Sequence, residues 1–209
     1  MSEVLRIAVY GPESTGKTEL AARLGAHFGA PVVAEYARER CDVQGGVLGL
    51  EDMVPIAREQ WRREDEAVRR AAEHCNLLGY ISGSPREGET GECNLIGYKR
   101  PGVVICDTDA LTTMLWSDLL YGTTPDELRR GAEKRCRNYA LYLLLDIDVP
   151  FAPDPQRCFP DPEDREKCRR VWHGALERRH LPYAWIRGDW AERERAAIAA
   201  VEECLRGGR

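Results

Sequence analysis

Short apolar runs alternate along the chain with longer segments in which apolar residues recur every three or four positions. The runs have the length and composition of buried β-strands, and they cover residues 4–10, 31–35, 103–106, 140–145 and 183–186. The segments between them are typical of amphipathic helices; in 17–28, for example, Leu20, Leu24 and Phe28 share one helical face. Five strands that alternate with helices predict an α/β fold, with a five-stranded, largely parallel sheet covered by helices on both faces. We expect one domain over residues 1–209.

Capping signals refine the predicted helix boundaries. A long charged helix is expected over about 51–74 and another over 110–120. The sequence Thr124-Pro-Asp-Glu127 predicts a capping box with proline at the first helical position. Asp161-Pro162 should open a helix to about residue 179, and Asp189 with Glu192 should cap the last helix.

Two segments interrupt this regular order. Residues 76–101 are rich in glycine, and the hexamer that starts at Cys75 recurs in similar form at Cys93. Two such apolar hexamers around a polar loop are typical of a β-hairpin, and a disordered insertion is the alternative. Residues 148–165 contain many Pro and Asp residues and are expected to form a lid.

The overall composition excludes several classes of protein. A net charge of −5 argues against a general nucleic-acid binder, which usually carries a basic surplus. No apolar stretch approaches the length of a membrane span, and the N-terminus lacks a charged leader followed by an apolar core. The eight cysteines are scattered without a Cys-x-x-Cys pair. We therefore expect a cytoplasmic protein whose thiols are reduced, some of them in the core.

The strongest chemical motif is Gly11-Pro-Glu-Ser-Thr-Gly-Lys-Thr18, between the first strand and the first helix. Its glycines allow the backbone N–H groups to surround phosphates, and the helix N-terminus adds positive potential. The residues assigned to this phosphate site are Gly11, Glu13, Ser14, Thr15, Gly16, Lys17 and Thr18. Lys17 should reach the β- and γ-phosphates of ATP, and the Thr18 hydroxyl should bind Mg²⁺.

Acidic residues follow two of the predicted strands, at the edge where parallel sheets bind ligands. Asp107 is expected to hold Mg²⁺ directly or through water. Asp109 has two interpretations, a helix cap and a substrate contact. Glu35 could orient a substrate hydroxyl and accept its proton, with Arg38 one helical turn further on; the alternative is a structural Glu–Arg pair.

The predicted lid contributes further candidates. Arg157 and Arg165 could close over a transferring phosphoryl group, although solvated arginines are equally typical of such a segment. Phe151 could stack on a flat base, and Gln60 could hydrogen-bond a base edge. Trp61, Trp116 and Trp172 lie on predicted helices and are expected in the core.

Taken together, these stretches resemble the ribosylnicotinamide kinase domain of NadR-type proteins, a branch of the P-loop kinases. The similar segments span nearly the whole chain in the family's order, and they are GPESTGKTELAARL, EYARE, IAREQ, ICDTDALTTMLWSD, YLLLDIDVPF, PEDRE and IRGDWAERERAAI. The combination of GPES, EYARE and CDTD-x-LTT is much narrower than the phosphate loop alone.

The resemblance implies ATP- and Mg²⁺-dependent phosphorylation of the 5′-hydroxyl of nicotinamide riboside. It implies roles for residues that match or nearly match the family's patterns, namely Glu35, Arg38, Asp107, Asp109, Arg157 and Arg165, and we assign Tyr36 of EYARE to the substrate site. Two alternatives stay open: a kinase for another nucleoside or nucleotide, and a regulatory ATPase or GTPase with a protein partner. The absence of an Asn-Lys-x-Asp motif favours ATP over GTP.

Overall fold

A parallel five-stranded sheet forms the centre of the molecule. The computed structural model describes residues 4–81 and 102–207, and the strands are β1 (Val4–Tyr10), β2 (Val32–Val33), β3 (Gly102–Asp107), β4 (Tyr139–Leu145) and β5 (Tyr183–Ile186). Their order across the sheet is β2-β3-β1-β4-β5, and every pair is parallel. The predicted fold class is therefore confirmed. Because all strands point the same way, their carboxyl ends share one edge.

Seven α-helices connect and cover the strands of the described chain. They are α1 (Lys17–Phe28), α2 (Tyr36–Val43), α3 (Met53–Ile81), α4 (Thr112–Tyr121), α5 (Asp126–Arg135), α6 (Pro162–Glu177) and α7 (Trp190–Gly207). On one face of the sheet, α1 and α7 pack on Ile7, Leu143 and their neighbours. On the other face, helices α3 to α6 enclose Tyr10 and Trp172. Each fully buried aliphatic or aromatic side chain contributes roughly 1.5–3 kcal/mol through the hydrophobic effect.

The boundaries differ from the prediction around Glu35. Strand β2 contains only Val32 and Val33, so Glu35 does not end a strand but immediately precedes α2. The helix itself was not predicted. Its eight residues are mostly polar and bury only Cys41 in full, so no apolar periodicity marks it.

The two predicted capping boxes have different outcomes. At α7, Asp189 and Glu192 exchange side-chain to backbone hydrogen bonds of 2.8 Å, as expected. At α5, the Thr124 hydroxyl donates its one hydrogen to Asp118 at 2.7 Å, and the Met114 carbonyl is a second acceptor within reach at 3.1 Å. No side chain caps α5, so that capping box was wrong, because Thr124 instead binds the preceding helix.

Helix α3 is longer than expected. It extends to Ile81, so the first of the two similar hexamers is helical where a hairpin strand was one alternative. The second hexamer lies outside the described residues. Arginine and glutamate pairs such as Arg62–Glu66 line the surface of α3. Of the helices that the structure describes, none has the length and apolar character needed to cross a membrane.

Candidate functional site

The phosphate loop has the backbone shape that its two motif glycines permit. Gly11 and Gly16 have φ angles of +148° and +82°, which residues with a side chain rarely adopt. A Cβ atom on Gly11 would lie 2.9 Å from the Leu145 carbonyl oxygen, and one on Gly16 would lie 2.5 Å from the Trp190 ring. Backbone conformation therefore favours glycine at both positions, and packing against the Leu145 backbone adds a second requirement at Gly11.

Contacts within and behind the loop fix its position. The Thr15 hydroxyl and the Lys17 ammonium group both donate to the Pro12 carbonyl, at 2.8 and 2.7 Å. Behind the loop, the buried Arg193 of α7 donates to the Thr15 carbonyl at 2.8 Å and to the Asp146 carbonyl at 2.7 Å. The loop is thus tied to β4 and α7 by one guanidinium group.

Asp107 lies at the carboxyl end of β3, directly beside the phosphate loop. Its backbone pairs with Val9 of β1, and its side chain is 2% exposed. Burial raises the pKa of the Asp107 carboxyl, while the Thr18 hydroxyl and the Lys17 charge partly oppose that shift. Among the described residues, Asp107 Oδ1 has no hydrogen-bond partner. A buried carboxylate oxygen left free next to a threonine hydroxyl suits a hard cation such as Mg²⁺.

The residue after Asp107 has an unusual backbone conformation. Thr108 has a φ angle of +110°, which is strained for a β-branched residue, and it lines the cavity described below. Strain of this kind clusters at functional sites, because the surrounding structure must enforce it.

Glu35 faces the same region from the other side. Burial raises the pKa of its carboxyl, the Lys17 charge opposes the shift, and the Asp107 charge adds to it. Arg38, one turn into α2, lies close enough to Glu35 to lower this pKa, and its guanidinium pairs with Asp154 at 3.3 Å. The structure therefore brings Lys17, Glu35 and Asp107 within electrostatic reach of one another.

One cavity of about 450 Å³ is lined both by these groups and by largely apolar side chains. Its polar lining includes the loop residues 13–18 and Glu35 and Arg38. Helices α3 and α4 contribute Met53, Ile56, Gln60, Thr112, Thr113, Trp116, Leu120 and Tyr121. Small-molecule sites typically have this size and this mixture of apolar walls with a few polar groups.

Gln60 and Tyr36 hold each other in place. The Gln60 side-chain oxygen accepts a hydrogen bond from the Tyr36 N–H at 2.9 Å, and its amide nitrogen lies 3.5 Å from Glu64. Gln60 is buried and lines the cavity. The Tyr36 ring instead lies under the guanidinium of Arg63, 4.5 Å away, and does not line the cavity.

The Asp109 side chain caps the start of α4, which is one of the two interpretations that the sequence allowed. Its carboxylate accepts hydrogen bonds from the N–H groups of Leu111 and Thr112, at 2.8 and 2.9 Å, and from the Thr112 hydroxyl at 2.6 Å. It is 1% exposed and does not line the cavity. Asp109 therefore fixes the start of α4, which is the helix-cap interpretation.

The lid residues have different positions relative to the cavity. Arg157 lines it, whereas Phe151 and Arg165 do not. The Phe151 ring lies between the two guanidinium groups, 5.9 Å from that of Arg157 and 5.7 Å from that of Arg165. Arg165 also donates to the Val149 carbonyl at 3.0 Å. Phe151 thus contacts lid arginines in this structure and does not form a wall for a base.

The lid is fastened to the phosphate loop by two loop side chains. The Glu13 carboxylate accepts hydrogen bonds from the N–H groups of Phe159 and Cys158, at 2.6 and 3.1 Å. The Ser14 hydroxyl accepts from the Ala152 N–H at 2.8 Å and from Arg157 at 3.2 Å. Both residues were assigned to phosphate binding, yet their side chains contact the lid.

The aromatic wall of the cavity was not predicted. Trp116, expected in the core, lines the cavity and stacks on Phe159 of the lid, with 5.8 Å between ring centres and 8° between ring planes. A signal was present in the sequence, because Thr112, Trp116 and Leu120 recur every four residues on one face of α4. That face begins just after the strand that ends in Asp107.

Arg193 was also missed by the sequence interpretation. It lies four residues before Ala197 and eight before Val201, and all three are buried on one face of α7. A charged residue on an otherwise apolar face signals a buried, fully paired guanidinium.

Known proteins resemble this chain at the level of the fold. The solved structure of a NadR protein in complex with NR has a TM-score of 0.68 and 24% identity, and the match covers 98% of this chain and 52% of that one. A NadR protein with NAD and AMP-PNP gives 0.66 and 22%, covering 100% of this chain and 51% of that one. This chain therefore spans about half the length of these NadR chains.

A kinase whose chain is matched over almost its whole length also has a similar fold. Thymidylate kinase from Ehrlichia chaffeensis has a TM-score of 0.57 and 11% identity, over 96% of this chain and 98% of that one. At these identities the likeness establishes the fold, and it confirms the P-loop kinase architecture expected from the resemblance. No curated protein matches the sequence significantly.

Family membership follows from a sequence model that covers most of the chain. A model described as an AAA domain matches residues 6–78 and 88–193. The matched ranges include the phosphate loop, Glu35, Asp107 and the whole lid. The chain belongs to this AAA-domain family, and its parallel sheet with covering helices is that of the P-loop kinase fold.

Proposed function

We propose that this protein transfers the γ-phosphoryl group of ATP to a hydroxyl of a small nucleoside. The observation that carries the proposal is that one cavity is lined by the phosphate loop, by Glu35 and by apolar and aromatic side chains of α3 and α4. A protein that only binds and hydrolyses a nucleotide needs no second compartment beside the γ-phosphate. The geometry therefore favours a phosphotransferase over the regulatory ATPase or GTPase.

The donor side is formed by the loop and the end of β3. Lys17 would bind the β- and γ-phosphates, and the loop N–H groups would surround them. Mg²⁺ would be held by the Thr18 hydroxyl and Asp107, whose free, buried oxygen suits it. When bound, the ion neutralises charge on the phosphates during transfer.

Glu35 is the proposed base. It would orient the acceptor hydroxyl and take its proton while the new oxygen–phosphorus bond forms and the bond from the γ-phosphorus to the β–γ bridging oxygen of ATP breaks, leaving ADP. Arg38 and Arg157 line the same cavity and would stabilise the charge on the transferring group. Arg165 contacts Phe151 and the lid backbone, so we assign it to lid structure.

Nicotinamide riboside is the acceptor that we propose. The sequence resemblance to NadR-type kinase domains and the fold shared with a NadR protein that binds NR support this choice. Trp116 lines the cavity and is held by its stack on Phe159, and an aromatic side chain in the wall suits a heteroaromatic ring. Another nucleoside or a nucleotide is the second candidate, because the described fold is shared with a thymidylate kinase and with a deoxyadenosine kinase whose structure contains dATP.

The test is ADP release measured across a panel of nucleosides, nicotinamide riboside included, with a reaction that lacks an acceptor. Release that depends on an acceptor supports a kinase, and equal release without one supports an ATPase.

Lys17→Ala should abolish transfer while leaving the melting temperature unchanged. Lys134→Ala, on the exposed surface of α5, is the matched control. Near-normal turnover by Lys17→Ala would refute the assignment.

A further inference from the structure

Two side chains of the phosphate loop contact the lid, and the proposed phosphoryl transfer does not use them. We propose that Glu13 and Ser14 are positioning residues that fasten the lid, so that the acceptor compartment is complete only while the lid is attached to the phosphate loop. This inference rests on the proposed function for its kinetic consequence, whereas the attachment itself is independent of the substrate.

The Glu13 contacts are specific. Each of its two carboxylate oxygens accepts a hydrogen bond from a different backbone N–H, Oε1 from Phe159 and Oε2 from Cys158. Hydrogen bonds to an ionised acceptor are shorter and stronger than neutral ones, and the 2.6 Å bond to Phe159 agrees with that. The two bonds hold adjacent lid residues against a loop that is itself tied to β4 and α7.

A carboxylate is an unfavourable choice at this position if the loop only binds phosphates. A negative side chain near a triphosphate repels it, and the repulsion strengthens in a partly buried site. Glu13 avoids much of this cost by directing its charge toward lid N–H groups. The residue type is therefore better explained by lid attachment than by nucleotide binding.

Ser14 makes the second attachment at a different part of the lid. Its hydroxyl accepts from the Ala152 N–H and from the Arg157 guanidinium. Arg157 lines the cavity, so the same hydroxyl that anchors the lid backbone also orients a cation toward the phosphate site. The two attachments are separated by several lid residues, which restrains the segment at both points.

The Glu13 attachment reaches the acceptor compartment through Phe159. The N–H of this residue binds Glu13, while its ring stacks on Trp116 at the cavity wall. Cys158, whose N–H is the other partner of Glu13, also lines the cavity. Loss of the carboxylate should therefore loosen the acceptor wall and admit water, while Lys17 and the loop backbone still bind ATP. Exclusion of water by a closed lid is what directs a phosphoryl group to the acceptor.

The attachment is tested by backbone hydrogen exchange on the full protein. In Glu13→Ala, the amides of Cys158 and Phe159 should exchange roughly tenfold faster than in the unmodified chain, because a charge-assisted hydrogen bond is lost. Glu13→Gln keeps one acceptor oxygen and should give a smaller increase. Ser14→Ala should accelerate exchange at Ala152 instead. Glu166→Gln, which removes a carboxylate that pairs with Arg169 on α6, is the control and should change neither region.

The proposed coupling between lid attachment and acceptor binding is tested by steady-state kinetics with the same variants. Glu13→Ala should raise the KM for the acceptor roughly tenfold and increase acceptor-independent ADP release, with the KM for ATP within about twofold. Unchanged exchange at residues 158 and 159 would overturn the attachment. Faster exchange with an unchanged acceptor KM would overturn the coupling. If the unmodified chain shows no acceptor-dependent turnover, the proposed kinase function fails, and hydrogen exchange alone decides whether Glu13 fastens the lid.

Discussion

At the scale of single residues, Glu35, Asp107 and Lys17 determine the charge of the site. Burial raises the pKa of both carboxyl groups, and Lys17 opposes the shift in each. The two carboxylates are also close enough that the charge of Asp107 raises the pKa of Glu35 further. A general base works best when its pKa approaches the working pH, so these shifts suit Glu35 for accepting a proton.

We predict that Glu35→Gln lowers kcat by roughly a hundredfold or more, since general bases contribute about 10²–10⁴ in rate. The KM for ATP should stay within about twofold. Because the pKa of Glu35 lies above its ordinary 4.5, the rate of the unmodified chain should fall as the pH drops through that raised value. Steady-state rates against pH measure both effects. Glu39→Gln, exposed on α2, is the control, and an unchanged kcat in Glu35→Gln would remove the base assignment.

Residues at strand ends were predictable, whereas several side-chain partners were not. Asp107 was assigned from its place at the end of an apolar run, and the structure puts it beside Thr18. Asp109 has the same residue type two positions later, and the sequence left a helix cap and a substrate contact open for it; the structure shows that its carboxylate accepts local hydrogen bonds from Thr112 at the start of α4. The position of Trp116 could not be decided from the sequence either, because a tryptophan on one face of a helix gives the same sequence pattern whether it packs in the core or lines a cavity.

At the scale of elements, a buried polar network connects α3 and β4 with the turn that precedes α4. The Tyr139 hydroxyl donates to Glu64 at 2.7 Å and accepts from the Ala110 N–H at 3.0 Å. Glu64 is fully buried, with Arg6 3.6 Å away and Gln60 at 3.5 Å. Burial is the largest influence on its carboxyl and raises the pKa of Glu64 to about 7.

We predict a measurable pH dependence of stability from Glu64. Its pKa is about 7 in the folded chain and near 4.5 when unfolded, so the folded state binds more protons between these values. The contribution of Glu64 to the free energy of unfolding should therefore fall by about 3 kcal/mol as the pH rises from 4.5 to 7. Glu64→Gln should flatten that slope in urea denaturation, and Glu66→Gln on the surface of α3 should not. Equal slopes in the unmodified chain and Glu64→Gln would contradict the prediction.

Element positions followed from the sequence where strands are continuously apolar. The runs that became β1, β3 and β4 were found almost to the residue, because these strands are covered on both faces of the sheet, and the partly exposed edge strand β5 was found from its short apolar run. Helix α2 was missed because it is short, polar and stabilised by ion pairs such as Glu39–Arg63. The capping box predicted at Thr124 was wrong because the Thr124 hydroxyl binds Asp118 of α4 instead of the N-terminus of α5.

At the scale of the whole molecule, one cavity is bounded by nearly every layer of the fold. The phosphate loop, α2, α3, α4 and the lid each contribute lining residues. A ligand that fills this cavity contacts segments that are far apart in sequence, so its binding should stabilise the folded chain as a unit.

We predict that MgATP at a hundred times its Kd stabilises the chain by about 2.7 kcal/mol. For a chain of this size that corresponds to a rise in Tm of roughly 5–10 °C. ATP without Mg²⁺ should give a smaller rise. Asp107→Asn should abolish the difference between the two, since it removes the charge proposed to bind the ion. Thermal scans measure these shifts, and an unchanged Tm with MgATP would exclude binding at the loop.

The central position of β1 has a consequence for how the chain is made on the ribosome. Its residues Ile7 to Tyr10 are completely buried, yet β1 pairs with β4 through residues such as Arg6 and Tyr139, more than 130 positions apart. At roughly 5–20 residues per second, β1 waits about 6 to 26 s after its own synthesis before its second partner strand exists. During that interval its apolar side chains are incompletely covered, and early packing against α1 would protect them.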